Sequence, residues 1–425
     1  MKIRNIFLSF VRLATGEVFG RVATFALFVY VSRYFGVQIL GIVALAQTVA
    51  SYVMELSDQG LKLIGARILA RNAELAPFVV PFVLKRRAAL TAGAVALGAF
   101  YAIVGPVPPE ARLCVLAFCF AAVPYAFALD WVAWGLNHIG VLSFWRGGVS
   151  VVYVGLAIAA MQLTMRPIAS ISGANILSAL LGAVFLWTIW KLRWSRLLGQ
   201  RPPDSLLAAA AEELRPTRVF ALGLSNLLNL VFMNADILLL GAMTTTSEVG
   251  RYSAACKPLY VIFTGFWLLT DALYPHLAKL EAGARAHSVL LLVLAGLAVL
   301  ASAAALALGL LAPQILTLIY GSTLGAARLF RILLIALPLD FCFSLLWTVL
   351  VSRGYDRAVL YSLASAATLN VVLNFVFIPH FQAGAAAWAT VASYGLLFLA
   401  VLSFVLRKKV LGTAEHDSAI APVWT

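Results

Sequence analysis

FVRLATGEVFGRVATFALFVYVSRYFG, residues Phe10–Gly36, decides how the chain is read, because it sets a carboxylate and a guanidinium into an apolar helix. Leu13 to Arg33 gives about 20 residues, enough to cross the ~30 Å hydrocarbon core of a bilayer at the helical rise. Glu17 and Arg21 are spaced one turn apart with the acid first, so they share a helix face and can pair. Gly20 and Thr24 lie on that face, and Phe19 and Val22 lie opposite. Arg21 is expected near the middle of the span. A charge there costs ~2.5–3.5 kcal/mol even on the lenient insertion scales, so it should face a protein interior or a wet cavity. This span is a candidate wall of a transport pathway.

The rest of the composition agrees. With 63% hydrophobic and 11% charged residues among 425, the chain reads as an all-α polytopic membrane protein. A net charge of +14 would suggest nucleic acid in a soluble protein. Here the basic residues cluster between apolar runs, so no nucleic-acid partner is expected and the charge reports topology. Cys114, Cys119, Cys256 and Cys342 lie inside apolar runs without disulfide or metal spacing, which makes them small packing residues. Lys2 and Arg4 precede an apolar run as in a signal peptide, but that run carries charge and leads into further spans, so cleavage is not expected.

Apolar runs of spanning length recur at roughly 13–34, 38–58, 87–105, 111–135, 139–162, 167–190, 217–243, 249–274, 287–311, 329–352, 357–379 and 383–406, about twelve helices. If both termini lie inside, 23 of the 31 Lys and Arg residues fall on the inner side, including Arg87 in the second loop. The outer side holds only Arg33, Arg112, Arg166, Arg251, Arg328 and Arg331, and Arg21 and Lys257 lie within spans. This asymmetry places the termini in the cytoplasm.

The longest connection, KLRWSRLLGQRPPDSLLAAAAEELRPTR at 191–218, separates six spans from six. The organisation expected is an N-terminal six-helix bundle over 1–195, a cytoplasmic linker over 196–216, a C-terminal six-helix bundle over 217–408 and a cytoplasmic tail over 409–425. An even number of spans lets both halves enter the membrane in the same sense, which permits a parallel pseudo-twofold repeat. Pro124 and Gly140 laid on Pro338 and Gly354 give a register of 214 residues, and LGIVALA from Leu40 laid on VGRYSAA from Val249 gives 209.

No loop is long enough for a soluble catalytic domain, and no phosphate-binding glycine loop, metal-ligand spacing or nucleophile elbow is present. Neither catalysis nor a cofactor is expected. What remains are polar groups inside spans. Asn226, Asn229 and Asp236 form a stripe that either lines a cavity or serves as hydrogen-bonding glue between helices. Asp236 and Lys257 lie at similar depths on consecutive spans and read as a structural ion pair. Asp130 and Arg146, near the inner ends of spans four and five, are explained by pairing or snorkelling. Asp340 stands about ten residues into its span without an obvious cation, a candidate for coupling to a proton or sodium gradient. The five histidines lie in loops or at their edges, which does not support a relay through the membrane. Trp131, Trp134, Trp190 and Trp194 mark an aromatic belt.

The run TLNVVLNFVFIPHFQAGAAAWATVASYG, Thr368 to Gly395, resembles the last two spans of polysaccharide and lipid-linked oligosaccharide flippases in the multidrug/oligosaccharidyl-lipid/polysaccharide exporter superfamily. The resemblance rests on Asn370 and Asn374 one turn apart, Ile378-Pro379 at the helix end, then Gly384-Ala385-Ala386 and Ala389-Thr390. TGEVFGRVATFALFVYVSRYFGVQILG, ELSDQGLKLIGARILAR and NADILLLGAMTTTSEVGRYSAACK resemble the family's first, second and seventh spans with their exits.

The resemblance implies a MATE-like fold of two six-helix bundles around a central cavity in a bacterial inner membrane. It implies a flippase that carries an undecaprenyl-pyrophosphate-linked oligosaccharide to the periplasmic leaflet, with a polymerase and glycosyltransferases of the same pathway as candidate partners. Arg21 and the more cytoplasmic Arg12 suit the anionic headgroup of such a cargo, with Glu17, Asn226 and Asn229 as further substrate-binding candidates. A cation-coupled drug antiporter of the same superfamily is the second reading, and Arg21 beside Glu17 would blunt its cation binding. A membrane-embedded glycosyltransferase, ligase or polymerase ranks third, because such enzymes need a sizeable external loop and the ones here are short.

Overall fold

A computed structural model describes residues 3–194, 202–278 and 284–408, with side chains described over 16–194, 202–267 and 288–407. All regular structure among them is helical. The order is α1 (Ile3–Asp58), α2 (Leu61–Arg71), α3 (Ala76–Val104), α4 (Pro109–Ala126), α5 (Asp130–Gly135), α6 (Ile139–Thr164), α7 (Pro167–Ile189) and α8 (Asp204–Glu213). There follow α9 (Pro216–Met243), α10 (Thr246–Ala278), α11 (Ala284–Leu310), α12 (Ala312–Tyr320), α13 (Ala327–Leu334), α14 (Ala336–Ser352), α15 (Asp356–Phe381) and α16 (Ala383–Lys408).

Among the described residues, 10 helices are long and apolar enough to cross a membrane. α1 covers two of the expected spans, and α10, 33 residues long, covers the run expected at 249–274. α1 breaks at Gly36, whose φ of 82° and ψ of 179° are non-helical, at the point where an outer turn was expected. Only glycine takes that backbone without strain. Boundaries moved most at α3, which starts at Ala76, so Arg87 lies inside a span and not in the preceding loop. Large apolar residues stand exposed along α11, among them Leu292, Val299 and Leu300, which is the surface a helix shows to lipid.

The chain divides into two compact units, Met1–Leu230 and Val231–Thr425. The division falls inside α9, later than the 196–216 connection. The reason is that α8 and the start of α9 are fastened within unit one. Arg71 Nη1 lies 2.6 Å from Glu213 Oε1, and Arg86 Nη1 donates to the Leu214 carbonyl at 3.3 Å. Gly223 lies so near the α1–α2 turn that a Cβ on it would stand 2.7 Å from Gln59 Cα. In unit one α1 packs on α4 and α6, and α7 on α4 and α6. In unit two α14 packs on α10, α11 and α16, and α15 on α16.

A repeat shows in the turns. Asn137 (φ 59°) and Gly354 (φ 78°) both end a helix in the left-handed conformation. Each is followed by a residue whose N–H reaches back five positions, His138 to Ala133 O at 2.8 Å and Tyr355 to Leu350 O at 3.0 Å. That is the Schellman closure. Met165 (φ 53°) and Gln382 (φ 51°) form a second left-handed pair, at the α6–α7 and α15–α16 turns. Both pairs are 217 residues apart, and α6 and α15 are each 26 residues long. The repeat register in this part of the chain is therefore 217, not 214. Gly140 was aligned on Gly354, but Asn137 holds the equivalent turn, since asparagine tolerates the left-handed region better than other non-glycine residues.

Candidate functional site

Glu17 is the centre of a cationic cluster in unit one. Its Oε1 accepts from Arg21 Nε at 3.1 Å, one turn along α1, and its Oε2 accepts from Arg146 Nη1 at 3.0 Å, on α6. The two helices meet closely because Gly16 and Gly20 present no side chains to α6. A Cβ on Gly20 would stand 2.9 Å from Ser150 Oγ, one on Gly16 would fall on Ser143, and one on Gly147 would stand 3.4 Å from the Gly16 carbonyl. This is the small-residue contact by which membrane helices approach one another. Two guanidiniums meet one carboxylate, and all three side chains are between a third and a half exposed, so the cluster has surplus positive charge and an open side.

The Glu17–Arg21 pair expected from the spacing is present, whereas Arg146 was given a bland role beside Asp130. That part is corrected: Arg146 pairs with Glu17, and Asp130 pairs with Lys62 at 3.2 Å. Arg21 also stands roughly 22 Å along the helix from the Gly36 break. The α1 helix includes Arg12, whose side chain lies outside the described residues.

A second group of charges joins α1, α2, α3 and α5 in unit one. Arg87 is buried in α3 with its Nε 3.1 Å from Asp58 Oδ1, and its Nη2 donates to the Tyr125 carbonyl at 3.0 Å. Lys62 and Asp130 join α2 to α5 beside it. Among Asp58, Asp130, Lys62 and Arg87 the charges balance, which suits a structural clasp better than a binding site. Just outside the spans, burial and the neighbouring Arg193 cation lower the pKa of His138, whose ring centroid lies 5.1 Å from that of Trp194.

Asn226 and Asn229 are both exposed on α9. Asn226 hydrogen-bonds Glu55 of α1, so one of the two asparagines is interhelical glue, on a carboxylate that the sequence reading passed over.

Asp236 is buried in unit two, and its carboxylate meets hydroxyls and a backbone N–H. Asp236 Oδ2 accepts a hydrogen bond from Tyr252 Oη, Thr390 Oγ1 stands 3.5 Å from the same oxygen, and Oδ1 accepts the Ile237 N–H at 2.8 Å. Asp236 lies roughly 10 Å from the end of α9 and Tyr252 roughly 9 Å from the start of α10, which makes the two level.

Asp340 is buried at 1% exposure and accepts from Trp267 Nε1 at 3.2 Å, a neutral partner in place of a cation. Asn374 Nδ2 donates to Asn370 Oδ1 at 2.9 Å, so the two amides of the α15 run are paired with each other and buried. Among the described residues no three His, Cys, Asp or Glu side chains gather as a metal site would need.

Comparison with known proteins fits this arrangement. The family model for polysaccharide biosynthesis protein matches residues 9–281. Among solved structures, the lipid II flippase MurJ in an inward closed conformation superposes with a TM-score of 0.69 at 12% identity, covering 94% of this chain and 89% of that one. An inward-facing multidrug resistance MATE family transporter of the MOP superfamily gives 0.64 at 15% identity over 94% and 99%. The Vibrio cholerae MATE transporter VcmN in the bent form gives 0.53 at 14% identity over 95% and 98%. At these identities the likeness is one of fold. No curated protein sequence matches the chain.

Proposed function

Because this chain belongs to the polysaccharide biosynthesis protein family and shares its multi-pass fold with a flippase and with transporters, we propose that it flips an undecaprenyl-pyrophosphate-linked oligosaccharide. Cargo would pass from the cytoplasmic to the periplasmic leaflet of a bacterial inner membrane, by alternating access, for surface polysaccharide assembly. The observation that carries this reading is the Glu17–Arg21–Arg146 cluster. A pyrophosphate offers acceptor oxygens that can take over the guanidinium donors Glu17 holds in its absence, in charge-assisted and bidentate bonds. A drug antiporter would need Glu17 open to a cation, and two guanidiniums already occupy it. Asp340, whose carboxylate accepts from an indole, remains the candidate for coupling to a proton or sodium gradient.

The test is surface-polysaccharide display, or translocation of the lipid-linked oligosaccharide, in a strain lacking its own flippase, at matched protein levels. Arg21→Ala and Arg146→Ala should each abolish it with the protein still in the membrane. Arg21→Lys should keep part of it, since a point charge survives the loss of the planar fork. Glu17→Gln combined with Arg21→Gln separates binding from charge balancing. Full activity in that double variant would make Arg21 a structural residue and remove the headgroup site. Reporter fusions at Gln200 and Lys409 should read cytoplasmic, and fusions at Pro108 and Thr323 periplasmic.

A further inference from the structure

Unit two carries another basic site, on the side where the positive-inside pattern leaves few cations. Three of the six outer-side arginines, Arg251, Arg328 and Arg331, belong to this unit. Two of them, Arg251 and Arg328, line one cavity of about 770 Å³. The start of α10 and the α12–α13 and α15–α16 connections border it, which is what strict alternation across a membrane requires of outer turns.

Its chemistry is graded from polar to apolar. Arg251 is held by Glu248, with Nη1 2.6 Å from Oε1, and its side chain remains 46% exposed. Gly325, left-handed at φ 71°, lies against the Arg251 side chain, where even a Cβ would come within 3.5 Å of Nε. Arg328 is exposed and has no ion-pair partner among the described residues. Two guanidiniums against one carboxylate leave a surplus positive charge. The first turn of α16 also borders the cavity through Gln382, Ala383 and Gly384. Leading N–H groups of a helix have no intrahelical acceptor and favour an anion. The remaining wall is aromatic and open: Phe377, Phe381 and Trp388 are 42%, 67% and 54% exposed.

We propose that this cavity binds an anionic phospholipid of the outer leaflet, its phosphate between Arg251 and Arg328 at the start of α16 and its acyl chains along Phe377, Phe381 and Trp388. The charge pattern selects that occupant. A free anion would use the arginines and leave the aromatic wall bare. The ammonium of a zwitterionic lipid would meet the surplus guanidinium, a like charge. An aromatic belt beside arginines at a helix end is also the chemistry of the headgroup level of a bilayer.

The experiment uses the full-length protein in detergent, titrated with phosphatidylglycerol, phosphatidylcholine, undecaprenyl phosphate and inorganic phosphate, with bound lipid read by native mass spectrometry and stability by thermal midpoint. Phosphatidylglycerol should bind at least roughly tenfold more tightly than phosphatidylcholine, the size of effect one or two charge-assisted hydrogen bonds give. Arg328→Gln should remove most of that preference without stranding Glu248, and Arg251→Gln with Arg328→Gln should remove all of it. Arg331→Gln should leave it intact, because Arg331 Nε is bonded to the Gly309 carbonyl beside a different groove. Phe377→Ala with Trp388→Ala should weaken both lipids while keeping their ratio. Undiminished preference in the Arg251/Arg328 double variant would overturn the proposal. So would an equal response to inorganic phosphate, which would make this an anion site, or displacement of phosphatidylglycerol by substoichiometric undecaprenyl phosphate, which would assign it to the cargo carrier. None of these results depends on Arg21, so this proposal and the flippase reading can fail separately.

Discussion

In unit one three carboxylates set into spans or at their ends take cations: Glu17 holds Arg21 and Arg146, Asp58 holds Arg87, and Asp130 holds Lys62. In unit two the buried ones take neutral donors, Tyr252 and Thr390 on Asp236 and Trp267 on Asp340. The difference is instructive because the turns of the two units repeat at one register. Arg146 of α6 stands where α15 has Leu363, 217 positions on, so the repeat keeps the backbone and exchanges the charge. The partners of the carboxylates therefore differ in kind, guanidinium and ammonium groups in unit one and hydroxyl and indole groups in unit two.

Arg87 gives the largest expected effect. Arg87→Ala removes a buried cation from Asp58 and a donor from the Tyr125 carbonyl, and breaking a buried pair from one side costs ~3–5 kcal/mol. Thermal unfolding in detergent should show it as a large drop in midpoint or as lost yield. Arg87→Met with Asp58→Asn should recover much of the loss, since no charge is then stranded. If the double variant is as damaged as the sum of the singles, the clasp is not an isolated pair and unit one's distinction weakens.

For unit two, Tyr252→Phe deletes the donor on Asp236 and should cost ~1.5–3 kcal/mol, the range for a hydrogen bond to a charged group. Asp236→Asn keeps an acceptor for Tyr252 and Thr390 and should cost less than Tyr252→Phe. The reverse order, measured by the same unfolding assay, would mean that a charge partner such as Lys257 matters more than the hydroxyls, and the contrast between the units would narrow. Glu55 tests the rule from within unit one, because its hydrogen-bond partner is the Asn226 amide and not a cation. Glu55→Gln should cost no more than ~1 kcal/mol. A loss as large as that of Arg87→Ala would show that the unit, and not the partner, decides how a carboxylate behaves.

Legibility followed the same division. The spans, the Glu17–Arg21 pair and the small face of α1 could be read because they depend on spacing within one helix. Arg146, Tyr252 and Thr390 could not, since each reaches its partner from another helix and no local period records which helix that is. Depth counting would have found Tyr252, had the eighth span been started at Thr246 and not at Val249. Arg87 was lost for the opposite reason. A run of Lys85, Arg86 and Arg87 looks like a loop, and a polar residue buried in an otherwise apolar helix shifts the predicted start of the span to its far side. The repeat was glimpsed in the wrong register because glycine was matched to glycine, while the structure repeats left-handed backbone, carried by asparagine in one unit and glycine in the other.

The smallest effect lies at that repeated turn. His138 in unit one and Tyr355 in unit two follow the left-handed residue at equivalent positions, and each ring meets another aromatic, Trp194 at 5.1 Å and Phe404 at 5.4 Å. Only the first of the two is an imidazole. Burial and Arg193 lower the folded-state pKa of His138 below its ordinary value. Between that lowered value and about 6.5 the unfolded chain then binds more protons than the folded one, so stability rises with pH across this window and is lost as pH falls through it. Far above the window the contribution is constant. His138→Tyr, which copies the unit-two residue, should flatten that part of the pH profile of the thermal midpoint while leaving the midpoint at pH 8 nearly unchanged. The shift should be small, because the imidazole is partly exposed and solvent screens it. A midpoint that instead rises as the wild-type protein is acidified from pH 7 would mean that the ring gains an acidic partner on folding, and the two turns would then differ in charge as the spans do.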